Sequence, residues 1–90
     1  MLVDGTMRAP PKLMFSEPFE IRIFRKKHGM NQMEFWEPIG ITQSGGSRYE
    51  TGRNIPKTVL LLLHMAYAPA DRSQRMFDAL RAWKTPKTTP

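Results

Sequence analysis

The sequence predicts an all-α fold, a compact bundle of about five short helices that contains a helix-turn-helix. Three observations predict it. Apolar residues recur at three- and four-residue spacing through the middle of the chain, with almost no strand-like alternation. Glycines, prolines and cap-forming residues fall between these periodic runs. With 90 residues, 40% of them hydrophobic, the chain has material for one small core and one domain.

Residues 1–15 hold Gly5, Pro10 and Pro11 without a sustained period and read as a flexible N-terminal arm, residues 16–84 as the domain, and residues 85–90 as a disordered tail. The first helix is expected from Ser16, as N-cap with Pro18 in the first turn, to His28, with Gly29 ending it. Ile21, Phe24 and His28 form its stripe, widened by Phe19 and Ile23. The second starts at Asn31, whose side chain caps, and runs through Met33, Phe35 and Trp36 to Ile39 and Gly40. Pro38 removes a hydrogen bond there and loosens the last turn. Thr42 then caps a third helix, Gln43 to Thr51, closed by Gly52. The joint Gly40-Ile41-Thr42 has the length of a helix-turn-helix turn. This third helix carries Gly45 and Gly46, each costing about 1 kcal/mol against alanine. A fourth should start with Pro56 in its first turn and cover Lys57–Tyr67 before Pro69. A fifth follows from Arg72 to Lys84, with Asp71 and Gln74 as a capping-box start.

Fourteen Lys and Arg against eight Asp and Glu give a net charge of +6, which favours a polyanionic partner. The longest apolar run, Val59 to Leu63, is far too short to span a membrane. The opening residues carry an acid and prolines where a secretory leader needs basic and then apolar ones. A soluble, cytoplasmic chain with no membrane contact is expected. There is no cysteine for a disulfide or thiol chemistry. His28 and His64 lack companions at ligand spacing, so they read as ordinary helix residues and no metal is expected. Ser44 and Ser47 lack a base, Glu34 and Glu37 are not marked as an acid/base couple, and the Ser44–Ser47 run lacks the ending of a phosphate loop. Neither an enzyme nor a cofactor is expected.

From Ile21 to about Tyr67 the chain resembles the lambda-repressor-like helix-turn-helix domains of the Cro/cI or XRE type. The marks are Phe24-Arg25, then Gly29-Met30-Asn31-Gln32, Gly40-Ile41-Thr42, Glu50, Gly52 and Pro56. The resemblance implies double-stranded DNA as partner and a recognition helix, Gln43–Thr51, in the major groove. Side-chain chemistry agrees with that placement: Gln43 pairs bidentately with adenine, Ser44 addresses several bases, and Arg48 reaches guanine or a phosphate. Ser47 completes the base-reading candidates. The resemblance further implies that Gln32 binds a backbone phosphate and braces Gln43. Asn31, Thr42, Arg53 and Lys57 join Gln32 as phosphate-binding candidates. Arg25 and Glu50 match a family pair that ties the first helix to the end of the third.

One feature departs from the family. Counting from Gln32, the fifth residue is usually small and the fifteenth a branched aliphatic; here they are Trp36 and Gly46. A large-for-small exchange that conserves core volume is expected, with the indole filling the space above Gly46. Gly45 is expected to allow close approach of the backbone to the duplex.

The function expected is a sequence-specific DNA-binding transcriptional regulator, most simply a repressor that occupies an operator. On the fourth helix, Val59, Leu62, Leu63, Ala66 and Tyr67 should close the core, leaving Leu60, Leu61 and Met65 over. With Phe77, Leu80 and Trp83 of the fifth helix, Leu61 and Met65 are expected to form a homodimer interface. The alternative is a protein-interaction module, an antitoxin-like binder of a toxin or another regulator, with secondary DNA binding.

Overall fold

The computed structural model describes residues 11–84, with side-chain surroundings through residue 82. Their backbone forms five α-helices: α1 (Pro18–Lys27), α2 (Gln32–Trp36), α3 (Gln43–Glu50), α4 (Lys57–Tyr67) and α5 (Ala70–Lys84). A 3₁₀ turn, Glu37–Ile39, extends α2. The fold is an all-α bundle built around a helix-turn-helix.

Local chemistry accounts for most boundaries. The N-cap of α1 is Glu17, one residue later than expected. Glu20 Oε1 gathers the backbone N–H groups of Ser16 and Glu17 at 2.7 and 2.8 Å, so the Ser16 hydroxyl is not needed as the cap. Those backbone donors hold the Glu20 carboxyl below its ordinary range. Asn31 and Glu34 form a reciprocal capping box at the start of α2, with bonds of 2.8 and 2.9 Å. Pro38 lies in the 3₁₀ turn, and Gly40 closes it at φ 80°. Pro56 is the N-cap of α4 and stays outside the helix, with ψ 147°. At the start of α5 the expected capping box is absent. The helix already includes Ala70 and Asp71, the Ser73 N–H bonds to the Pro69 carbonyl, and the Gln74 amide donates to Asp78 at 2.9 Å.

Phe15, Ile21, Phe35, Trp36, Val59 and Leu63 form the buried cluster, and Met76 of α5 is buried as well. Aromatic rings dominate it. Phe35 and Tyr67 stack at 4.5 Å, and the Tyr67 hydroxyl donates to the Phe35 carbonyl at 2.6 Å. Phe15, just ahead of α1, packs into this cluster: it is only 3% exposed and sits edge-on to Phe24 at 5.5 Å. The segment leading to it is tied down at two more points. The Met14 N–H donates to His64 Nδ1 at 2.9 Å, and Arg72 donates to the Lys12 carbonyl at 3.3 Å. Residues 1–10 and 85–90 lie outside the described residues.

His64, read as an ordinary helix residue, is fully buried. Its Nδ1 accepts from Met14, so the ring proton sits on Nε2, which faces the Arg72 carbonyl at 3.3 Å. The apolar stripes are narrower than expected. Phe19 and Ile23 stay exposed, so they do not widen the buried face of α1. On α4, Leu62 is 49% exposed and Ala66 is exposed too, while Leu60 packs against the core. The turn of α4 is set by Val59, Leu63 and His64 facing inward together.

Candidate nucleic-acid interface

The joint between α2 and α3 is short because Gly40 turns the chain and Thr42 restarts a helix at once. Thr42 Oγ1 accepts the Gly45 N–H at 3.1 Å. At the other end, the Thr51 hydroxyl donates to the Ser47 and Arg48 carbonyls, and Gly52 at φ 117° carries the chain away.

An α-helix turns 100° per residue, so the eight residues of α3 divide into two faces. Ser44 and Arg48 are exposed on the side away from the core, Ser47 is partly exposed at its flank, and Gln43 is exposed in the first turn. Their side chains make no hydrogen bond to other described residues, which leaves the Gln43 amide, the hydroxyls and the Arg48 guanidinium available. Gly46 and Glu50 are buried on the other side, with Tyr49 between.

That inner face is built around Glu50, 1% exposed. Arg25 grips its carboxylate with two parallel bonds, Nη2 to Oε1 at 2.8 Å and Nε to Oε2 at 3.0 Å. The Trp36 indole donates Nε1–H to Oε2 at 2.8 Å. Gln32 adds a long contact to Oε1 at 3.4 Å. Arg22 donates to the Glu50 backbone carbonyl, and the remaining Arg25 nitrogen reaches the Met30 carbonyl at 3.1 Å. Burial pushes the Glu50 carboxyl up, but the bonds from Arg25, Trp36 and Gln32 outweigh it and hold the group below its ordinary range. A buried charge with every oxygen occupied locks the end of α3 onto α1 and α2.

The two glycines of α3 have separate explanations. A Cβ on Gly46 would overlap the Trp36 ring, with Nε1 at 2.5 Å. The indole therefore occupies the place of a side chain at position 46, the large-for-small arrangement expected from the sequence. A Cβ on Gly45 would sit 3.2 Å from Ile41 Cγ2 and 3.4 Å from the capping Thr42 hydroxyl. Crowding at the turn thus supplies an intramolecular reason for Gly45, beside the close approach to DNA expected of it.

The expected phosphate-binding residues fall into two groups. Asn31, Thr42, Arg53 and Lys57 are exposed around the ends of α2, α3 and α4. Asn31 and Thr42 use a side-chain oxygen as a cap. Gln32 differs from expectation, because its amide turns toward Glu50 where bracing of Gln43 was anticipated. The indole bond to Glu50 and the Arg22 contact lie beyond what the sequence leads one to expect. The first had a signal: a buried tryptophan needs an acceptor for its N–H, and Glu50 lies fourteen residues on.

The proposed dimer residues lie apart from this site. Phe77 is 44% exposed, Leu80 is exposed, and Leu61 and Met65 are partly covered. Met65 and Phe77 line an open groove of about 460 Å³ with Ala68, Ala70, Ser73 and Gln74. The side chain of Trp83 lies outside the described residues.

Residues 22–66 match the family described as the RsaL-like HTH domain, from within α1 almost to the end of α4. The match supports a helix-turn-helix family under that description and does not single out the Cro/cI or XRE type. No curated protein and no solved structure gives a significant match.

Proposed function

We propose, from the premise that this chain belongs to the RsaL-like HTH domain family, that it is a sequence-specific regulator of transcription. It reads double-stranded DNA through the major groove with α3 and acts as a repressor by occupying its operator. The observation that carries this reading is the division of α3. Its inner face is locked by Gly46 and Glu50, while Ser44, Ser47 and Arg48 around the helix and Gln43 in the first turn make no side-chain hydrogen bond to other described residues. In this reading those residues address base edges, and Asn31, Gln32, Thr42, Arg53 and Lys57 hold phosphates on either side. The net charge of +6 favours the encounter.

The arrangement is that of the lambda-repressor type, and the protein works in the cytoplasm as a homodimer. Leu61, Met65, Phe77, Leu80 and Trp83 make the contact, so that two copies of α3 reach half-sites about 34 Å apart. Among the described residues no helix is long and apolar enough to cross a membrane.

Selection from a random duplex pool, followed by a salt titration on the selected site, tests the reading. A two-fold symmetric site and a steep fall of affinity with salt are expected. Binding with no sequence preference, or with no salt slope, favours the antitoxin-like alternative, in which the exposed Phe77 and Leu80 serve a different protein.

A further inference from the structure

We propose that Trp36 is the positioning residue that sets how α3 is presented to DNA, holding the helix by its ring under Gly46 and by its Nε1–H on Glu50. The inference rests on the DNA-reading role of α3. Gly46 and Glu50 are four residues apart, one above the other on the inner face. One side chain of α2 therefore meets α3 at two heights. The ring, lying where a Cβ at position 46 would be, sets the distance between the helices and the roll of α3. The 2.8 Å bond to Oε2 sets its slide along the axis.

Arg25 alone does not do this, because it reaches α3 only at Glu50 in the last turn. Nor does α3 define its own course. An eight-residue helix with two internal glycines is too short and too flexible to hold its shape without a template. The indole is that template, and the face it fixes lies around the helix from Ser44 and Arg48, with Gln43 and Ser47 carried by the same helix. Any change in roll or slide moves all of these relative to the base edges at once. Phosphate contacts from Arg53 and Lys57, beyond the C-terminal end of α3, depend on it far less.

The test uses the full chain and compares affinity for the selected duplex with affinity for a scrambled one, by fluorescence anisotropy at fixed salt. Trp36→Phe keeps an aromatic ring but loses the N–H and part of the indole. Its selected-over-scrambled ratio should fall about tenfold, the equivalent of one lost base-pair reading, while affinity for the scrambled duplex and the salt slope stay as in the unaltered chain. Val59→Ala is the control: a core change on α4 that lowers thermal stability and leaves the ratio where it was. If Trp36→Phe does not fold by circular dichroism, 3-benzothienylalanine at position 36 keeps the bicyclic ring and removes only the donor. It should lower the ratio in the same direction. An unchanged ratio in the position-36 variant, or an equal fall in Val59→Ala, overturns the proposal. If the unaltered chain prefers no duplex, the DNA reading itself fails; preference retained in the variant refutes only the role of Trp36.

Discussion

Where α3 meets α1 and α2, polar groups are inside and satisfied. The Glu50 carboxylate takes Arg25, Trp36 and Gln32, and the exposed residues of α3 itself are polar. Where α4 meets α5, the distribution runs the other way. Leu63 and Met76 close the interior, and Leu62, Phe77 and Leu80 remain outside. Each region has a buried polar residue that ties sequence-distant segments together, Glu50 with its buried partner Arg25 in the first and His64 in the second. Their surroundings make them different devices. Glu50 is charged and orients one helix against two others. His64 joins the chain entering the domain to the start of α5 through backbone groups. The difference teaches that α3 is held by satisfied polar contacts within the chain and presents a polar outer face, whereas α4 and α5 leave Leu62, Phe77 and Leu80 uncovered, as a partner-binding surface does. Apolar exposure alone is not the distinction, since Phe19, Ile23 and Met33 of α1 and α2 are exposed as well.

The largest effects should come from breaking the contacts that hold α3. Trp36→Ala is expected to cost about 3–5 kcal/mol, as for other large aromatic side chains removed from cores. Gly46→Ile alone should also destabilise by overpacking. Together the two changes should recover part of the combined loss, because the added side chain enters the space the ring leaves. A denaturant-melt cycle measures the coupling, and plain additivity would mean that the ring and position 46 do not share a site.

Nearly as large is the expected loss on removing one member of the Arg25–Glu50 pair, on the order of 3–5 kcal/mol for a buried ion pair left half empty. Replacing both by apolar residues should cost less than the worse single change. The same pair gives a pH dependence. The folded-state carboxyl of Glu50 lies below the ordinary value of 4.5, so its contribution to stability is complete above that pH and is lost as pH falls through the lower folded value. Glu20 adds to the loss in the same direction. Melting temperature followed from pH 7 into the acid range should hold and then fall; for Glu50→Gln, the Glu50 share of that fall should be missing.

Smaller effects are expected for the exposed residues of α3. Gln43→Ala or Arg48→Ala should cost about 1–3 kcal/mol in binding and relax preference at one base pair, with thermal stability barely moved. Arg53→Ala or Lys57→Ala should weaken all duplexes alike and reduce the salt slope by about 1. The smallest effect on the fold, within about 0.5 kcal/mol, is expected for Phe77→Ser and Leu80→Ser, which are solvent-facing. Their effect should appear in self-association instead: sedimentation of the variant should show a weakened dimer. If both variants sediment as the unaltered chain does, the α4–α5 surface is not where copies meet.

What the sequence determined by itself was local. Asn31 and Thr42 as caps, Gly29, Gly40 and Gly52 as stops, and Pro38 as a loosening of the second helix all act within a few residues of where they stand. Helix number and the helix-turn-helix spacing were legible for that reason. The pairing of Arg25 with Glu50 and the exchange of Trp36 against Gly46 were legible only through a family pattern, since nothing local joins positions ten or twenty-five residues apart. The tertiary structure alone decided the rest. Whether Leu62 or Leu60 faces inward depends on how α4 is rolled, and that roll follows His64, whose partners Met14 and Arg72 come from distant segments. Phe15 belongs to the core because Phe24 and Phe35 leave room for an edge-on ring, a fact of assembled packing that no stretch of the chain encodes alone. The indole bond to Glu50 is of the same kind. Periodicity shows that a side chain is buried, but the direction its polar atom takes is fixed only when another helix brings an acceptor to it.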